Sequence, residues 1–100
     1  MENEDVIFQI ILDSGDARTN IMSVFDSLKN KDYEQAKEYV KEANQCLNRA
    51  HKAQAAMITR EINEETNSVS LLMVHAQDHL MTTMAMRDLV NKMIDLFIEA

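Results

Sequence analysis

Two histidines and an aspartate lie within a single helical turn in the stretch VHAQDHLMTTM, residues 74–84. Residues three and four apart share a face of a helix, so His75, Asp78 and His79 are predicted to form one cluster. Three interpretations fit the cluster. The histidines are ordinary, partly buried polar residues and Asp78 is solvated; or both histidines, at i and i+4, bind a metal ion; or a neutral imidazole accepts and donates a group while its neighbour assists.

The surroundings of the cluster weigh against the first interpretation. The segment is rich in Leu, Met and Val, and an unpaired charge on a helix that is apolar on all sides is costly. If three chains packed around an axis with this face inward, three copies of Asp78 would converge and repel one another. They would then need protonation or a bound cation, and such a cation at the axis would be structural.

The composition predicts the elements that carry the cluster. In a chain of 100 residues with no proline, one glycine, eight methionines and 46% apolar residues, we expect an all-α fold in a single domain over residues 1–100. Apolar residues at helical spacing predict helices over about 4–29, 33–62 and 68–98. Two short links between them favour an antiparallel, up-down-up three-helix bundle.

Three local signals refine these helices. Asp32, followed three residues later by Gln35, resembles a capping box that starts the second helix, and Ser68 is the expected cap of the third. Gly15 lies inside the first helix, where glycine costs about 1 kcal/mol. We therefore expect either a bend or a close backbone approach at Gly15.

The third helix has apolar residues nearly all round. A three-helix bundle covers only one side of each of its helices, so a helix that is apolar on every side needs burial from other subunits. The pattern therefore predicts self-association.

Charge and cysteine content limit the class of protein. With 17 acidic and 10 basic residues and a net charge of −7, neither nucleic acid nor an anionic membrane surface is expected as a partner. Cys46 is the single cysteine, so no disulfide can form within one chain. No long apolar run marks a signal peptide or a membrane span, and we expect a cytoplasmic protein.

Three motifs together resemble a known family. HAQDHLMTTM at 75–84, SGDAR at 14–18 and AHKAQ at 50–54 are similar to the IIA component of the lactose/cellobiose class of the bacterial sugar phosphotransferase system (PTS). The resemblance covers almost the whole chain and includes the three-helix layout. One departure is Ala55, which stands where the family commonly has a threonine after AHxxQ.

The resemblance implies a homotrimer that carries a phosphoryl group. It implies that His75 accepts the group from the phosphocarrier HPr and passes it to a cysteine of the cognate IIB component, and that His79 supports the phosphorylated ring. It also implies that three copies of Asp78 hold one Mg²⁺ at the trimer axis. The protein would work with a membrane IIC permease in the uptake of a cellobiose-, chitobiose- or lactose-like sugar.

An alternative from another class stays open: a non-catalytic helical scaffold in which His75, Asp78 and His79 hold a transition metal. The absence of a glycine-rich phosphate loop in the sequence counts against a nucleotide-dependent kinase. Arg18 of SGDAR either faces phosphate or forms an ion pair. His51 and Gln54 of AHKAQ receive no chemical role from the sequence.

Overall fold

The computed structural model describes residues 3–63 and 70–98, and these residues form three α-helices. Helix α1 spans Asn3–Lys29, α2 spans Tyr33–Asn63 and α3 spans Leu71–Phe97. The molecule is a rod with principal extents of 51 × 20 × 19 Å, in which the 31 residues of α2 alone account for about 46 Å at 1.5 Å per residue. The predicted all-α three-helix bundle is confirmed.

Contacts between the helices establish their directions. Asn44 of α2 accepts a hydrogen bond from Arg87 of α3, and Gln54 of α2 donates one to Gln77 of α3, so these two helices run in opposite directions. The core between the helices is made of residues at helical spacing, as the amphipathic pattern predicted. On α2 it includes the fully buried alanines Ala36, Ala43 and Ala50, whose small side chains let α1 pack closely against α2.

The link between α1 and α2 is a Schellman motif. The N–H of Asp32 donates to the Ser27 carbonyl at 2.8 Å and the N–H of Lys31 donates to the Leu28 carbonyl at 3.1 Å. Lys31 therefore adopts a left-handed backbone conformation with φ of 58°. The motif ends α1 and reverses the chain within three residues.

The caps of the two following helices differ in how well the sequence predicted them. The Asp32 carboxylate accepts the N–H of Gln35 at 3.2 Å, which confirms Asp32 as the cap of α2. For α3 the predicted cap, Ser68, lies outside the described residues. The structure instead places Ser70 at the cap: its backbone is extended and its hydroxyl accepts the N–H of Met73 at 3.0 Å. Helix α3 therefore begins at Leu71, later than the predicted residue 68.

Helix α3 is only half covered by the bundle. One side packs into the core through Ala76, Leu80, Thr83, Val90 and Ile94. The other side leaves large apolar side chains in solvent, including Leu71 at 84%, Leu89 at 62% and Leu96 at 68% exposure. Such an extent of exposed apolar surface is typical of a face that packs against another molecule. None of the helices in residues 3–63 and 70–98 combines the length and apolarity that a membrane span requires.

We predict that Lys31→Gly stabilises the protein. A non-glycine residue in the left-handed region costs about 1–2 kcal/mol, and glycine avoids this strain. The greater freedom of glycine in the unfolded chain offsets about 0.4–1 kcal/mol of this gain. The free energy of unfolding should rise by about 0.5 kcal/mol and the Tm by about 2–4 °C, measured by circular dichroism. The matched control is Asn30→Gly, where φ is not positive and glycine should lower the Tm. Equal effects of the two substitutions would contradict this account of the link.

Candidate functional site

The predicted cluster forms on one part of the α3 surface. The rings of His75 and His79 are stacked, with their centroids 5.9 Å apart and their planes inclined by 10°. The side chains of His75 and Asp78 are exposed, whereas His79 is half-buried. An exposed imidazole therefore lies against a second one that the protein partly encloses.

The His79 ring lies against α1 at Gly15. A Cβ atom built on Gly15 would be 3.7 Å from His79 Nε2, which is ordinary van der Waals contact. Helix α1 continues through this position, and the close neighbour of Gly15 is a side chain rather than the backbone approach that was one of the two expectations. The lone glycine of the chain thus marks where α1 meets the histidine pair.

The environment of His79 favours its neutral form. Burial is the main cause that lowers the pKa of His79 below its ordinary value, and the positive charge of Arg18 and the neighbouring His75 lower it further. Asp78 acts in the opposite direction and raises this pKa by a smaller amount. Because an unperturbed histidine is already largely neutral at pH 7, the shift keeps His79 neutral into the mildly acidic range.

The two threonines of the motif anchor the backbone beneath the cluster. Thr83 is fully buried and donates its hydroxyl hydrogen to the His79 carbonyl at 2.7 Å. Thr82 donates to the Asp78 carbonyl at 2.8 Å. Both bonds are local to the helix and leave the imidazole rings and the Asp78 carboxylate available.

The Asp78 carboxylate accepts no hydrogen bond and forms no ion pair within residues 3–63 and 70–98. In that part of the chain, no three His, Cys, Asp or Glu side chains come close enough together to hold a metal ion. Within those residues, one chain therefore offers no complete metal site at Asp78, and the axial arrangement would draw one carboxylate from each of three chains.

AHKAQ contributes to the site through Gln54. This buried side chain donates a hydrogen bond to the Gln77 side chain of the HAQDH motif and so links α2 to α3 beside the cluster. His51 is exposed and makes no ring contact with the histidine pair in the described structure. No role was predicted for Gln77 from the sequence, although its position between the two histidines of the candidate cluster pointed to one.

Other polar residues stabilise the bundle away from the cluster. The buried Asp13 accepts hydrogen bonds from Gln9 at 3.0 Å and from Arg49 at 3.3 Å, which ties α1 to α2. Arg49 also donates to the Cys46 sulfur at 3.3 Å. Burial is the largest influence on Cys46 and raises the pKa of its thiol, as expected for an inert core cysteine.

Comparison with known proteins agrees with this site. A family profile described as "PTS system, Lactose/Cellobiose specific IIA subunit" matches residues 5–98. The chain belongs to the lactose/cellobiose-specific IIA family of the sugar phosphotransferase system. It is therefore a phosphotransferase component, as its sequence motifs predicted.

Relatives of known specificity cover nearly the whole chain. The lactose-specific EIIA component of Staphylococcus epidermidis is 38% identical over 90% of this chain and 86% of its own length. The lichenan-specific IIA component of Bacillus subtilis is 40% identical over 96% of this chain and 87% of its own. A solved structure of the IIA(Chitobiose)–HPr complex of Escherichia coli superimposes with a TM-score of 0.84 at 35% identity, covering 99% of this chain and 96% of that one.

We predict that Arg18→Gln raises the pKa of His79, because it removes a positive charge that disfavours the imidazolium form. The pKa should be measured by NMR titration of the histidine ring signals, assigned through His75→Gln and His51→Gln variants. The control is Lys29→Gln, which removes the same charge from the same helix about 16 Å further along. A His79 titration that is identical in Arg18→Gln and wild type would contradict the inferred proximity of these two residues.

Proposed function

We propose that this IIA protein carries a phosphoryl group on His75, taking it from HPr and passing it to the cysteine of a IIB component. The observation that carries the proposal is the pairing of an exposed His75 ring with a half-buried His79 ring stacked against it. Exposure lets two partner proteins reach His75 in turn, and a fixed neighbour orients the ring. The solved relative in complex with HPr supports HPr as the donor.

The transfer needs a neutral imidazole. A nitrogen lone pair of His75 attacks phosphorus in line with the departing donor, so that a new N–P bond forms as the bond to the donor breaks. The other ring nitrogen then sheds its proton, and the released donor takes one up. In the second step the IIB thiolate attacks the same phosphorus, an S–P bond forms as the N–P bond to His75 breaks, and the released His75 ring regains its proton.

His79 supports the phosphorylated ring. Its lowered pKa keeps it neutral, so one ring nitrogen carries a hydrogen that can be donated to a phosphoryl oxygen. The contact with α1 at Gly15 holds the ring in place beside His75. Because its ring is half-buried, His79 is less accessible to a partner protein than the exposed His75, and in this mechanism it acts as a hydrogen-bond donor and not as a second nucleophile.

The active form is proposed to be a homotrimer. Leu71, Asp78, Leu89 and Leu96 are exposed and recur at helical spacing, so they form one strip along α3. Packing of this strip against the same strip of two other copies would remove the exposed leucines from water. His75 lies at the edge of the strip, rotated by about 60° from Asp78, and so stays reachable by partner proteins.

Three converging Asp78 carboxylates would need either protonation or a bound cation, and the proposal is a cation. The carboxylate is exposed and has no partner within residues 3–63 and 70–98, and carboxylate oxygens are ligands that suit Mg²⁺. When bound, one Mg²⁺ per trimer would neutralise the mutual repulsion of the carboxylates and fix the register of the three copies. The ion would be structural, and neither phosphoryl-transfer step on His75 passes through it.

The protein is proposed to work in the same kind of sugar-transport system as its relatives. The proposed setting is the cytoplasm, with a membrane IIC permease carrying the sugar, which is cellobiose-, chitobiose- or lactose-like. Relatives specific for lactose and for lichenan have closely similar identities, 38% and 40%. This similarity supports specificity residing in another component, because relatives that are about equally similar to this chain are specific for different sugars.

Phosphorylation of His75 is directly measurable. On incubation with phosphoenolpyruvate, enzyme I and HPr, intact-mass spectrometry at neutral to alkaline pH should find one acid-labile phosphoryl group per chain. His75→Ala should abolish the gain because the attacking nitrogen is lost. His51→Gln, a matched change at an exposed histidine outside the cluster, should keep it. A wild-type protein that gains no mass while a control acceptor is phosphorylated would overturn the proposal and favour the scaffold alternative.

The axial cation is tested by Asp78→Asn. For the wild type, removing Mg²⁺ with EDTA should lower the Tm and promote dissociation, since a ligand at 100 times its Kd stabilises by about 2.7 kcal/mol. The asparagine variant carries no repelling charges and should be a trimer whose Tm does not respond to EDTA. Light scattering and thermal melts with and without MgCl₂ distinguish these results. A wild-type trimer that is insensitive to EDTA would contradict the cation site.

A further inference from the structure

Arg18, the last residue of the SGDAR motif, has no part in the mechanism above. It lies three residues after Gly15 and therefore on the same face of α1, one turn beyond the point where His79 touches that helix. Its side chain is exposed. The motif thus places a guanidinium group beside the histidine pair.

Arg18 differs from the other arginines in how its charge is used. Arg49 pairs with Asp13 at 3.3 Å and Arg87 pairs with Asp88 at 2.8 Å. Arg60 lies in the last turn of α2, where a positive charge suits the helix dipole. Arg18 is mid-helix and has neither ion pair nor hydrogen bond within residues 3–63 and 70–98.

The helix geometry directs the Arg18 side chain toward the histidine pair. The contact at Gly15 sets α1 level with His79, and Arg18 is about 4.5 Å further along its helix. Long helical side chains extend back toward the helix N-terminus, which directs Arg18 toward the level of His79. A phosphoryl group on His75 projects from a ring whose centroid is 5.9 Å from that of His79, so the two charges can meet beside the His79 ring.

The electrostatic need for such a residue is clear. A phosphoryl group on a side chain carries about −1.5 to −2 charges at pH 7, here on a chain whose net charge is already −7. Asp78, the nearest acidic residue on α3, repels it. Arg18 and the neutral His79 are the groups beside the cluster that can offset this charge, and a guanidinium fork matches phosphoryl oxygens.

We propose that Arg18 binds the phosphoryl oxygens of phosphorylated His75 and thereby stabilises the charged intermediate between the two transfers. This inference rests on the proposed function of His75. Arg18 touches the transferred group and takes no proton from it. Its effect is to hold the phosphoryl group on His75 until a IIB component removes it.

The test compares Arg18→Gln and Arg18→Lys with the wild type. Each protein is equilibrated with HPr and phospho-HPr, and then the isolated phosphoprotein is titrated by ³¹P NMR with no partner present. Arg18→Gln should shift the equilibrium toward phospho-HPr by about tenfold, the effect of one lost charge-assisted hydrogen bond that is partly exposed. It should also move the ³¹P titration midpoint to higher pH, and lysine should restore part of both effects.

Lys29→Gln on the same helix is the control and should change neither quantity. If the wild type is phosphorylated on His75 but Arg18→Gln matches it in both measurements, the role of Arg18 is wrong while the carrier function stands. If Arg18→Gln alters only the transfer equilibrium and leaves the ³¹P titration unchanged, Arg18 contacts a partner protein instead, which also overturns the inference. If the wild type gains no phosphoryl group on His75, the proposed carrier function itself is wrong.

Discussion

The rotation of α3 about its own axis is the constraint on which the site depends. Leu80 and Thr83 are fully buried, and turning the helix about its axis would expose them to water. These two side chains therefore fix the rotation. Helical periodicity then requires that Asp78 face solvent and that His79 lie at the boundary with α1. The chemistry of the cluster is therefore fixed by core residues that take no part in it.

This rotation gives two histidines of the same motif different environments. His75, one turn earlier and further from α1, remains in water, whereas His79 is partly enclosed and loses basicity through that enclosure. The proposed nucleophile, His75, must be reachable by large partner proteins, and its proposed supporting group, His79, must keep one orientation. One helical turn and one neighbouring helix are enough to give the same side chain both environments.

The sequence was sufficient for features that depend on neighbouring residues along the chain. The first two helices, the cap at Asp32 and the cluster on α3 all follow from local spacing and capping chemistry. The start of α3 was placed too early, because Ser68 and Ser70 have the same capping chemistry and the sequence alone does not select between them. What lies against Gly15 could not be predicted either, because the partner comes from a helix some sixty residues away. The hydrogen bond between Gln54 and Gln77 is missing from the prediction for the same reason.

The exposed side of α3 links assembly to catalysis. A single chain leaves Leu71, Leu89 and Leu96 in solvent with the Asp78 carboxylate among them, and the exposed leucines are unfavourable for an isolated monomer. Burying the leucines against other copies of the chain would also bury the carboxylate, whose charge must then be neutralised. His75 escapes this conflict because it lies at the edge of the strip. The burial that the proposed assembly needs and the access that the proposed nucleophile needs would thus be met on adjacent sides of one helix, separated by less than a quarter turn.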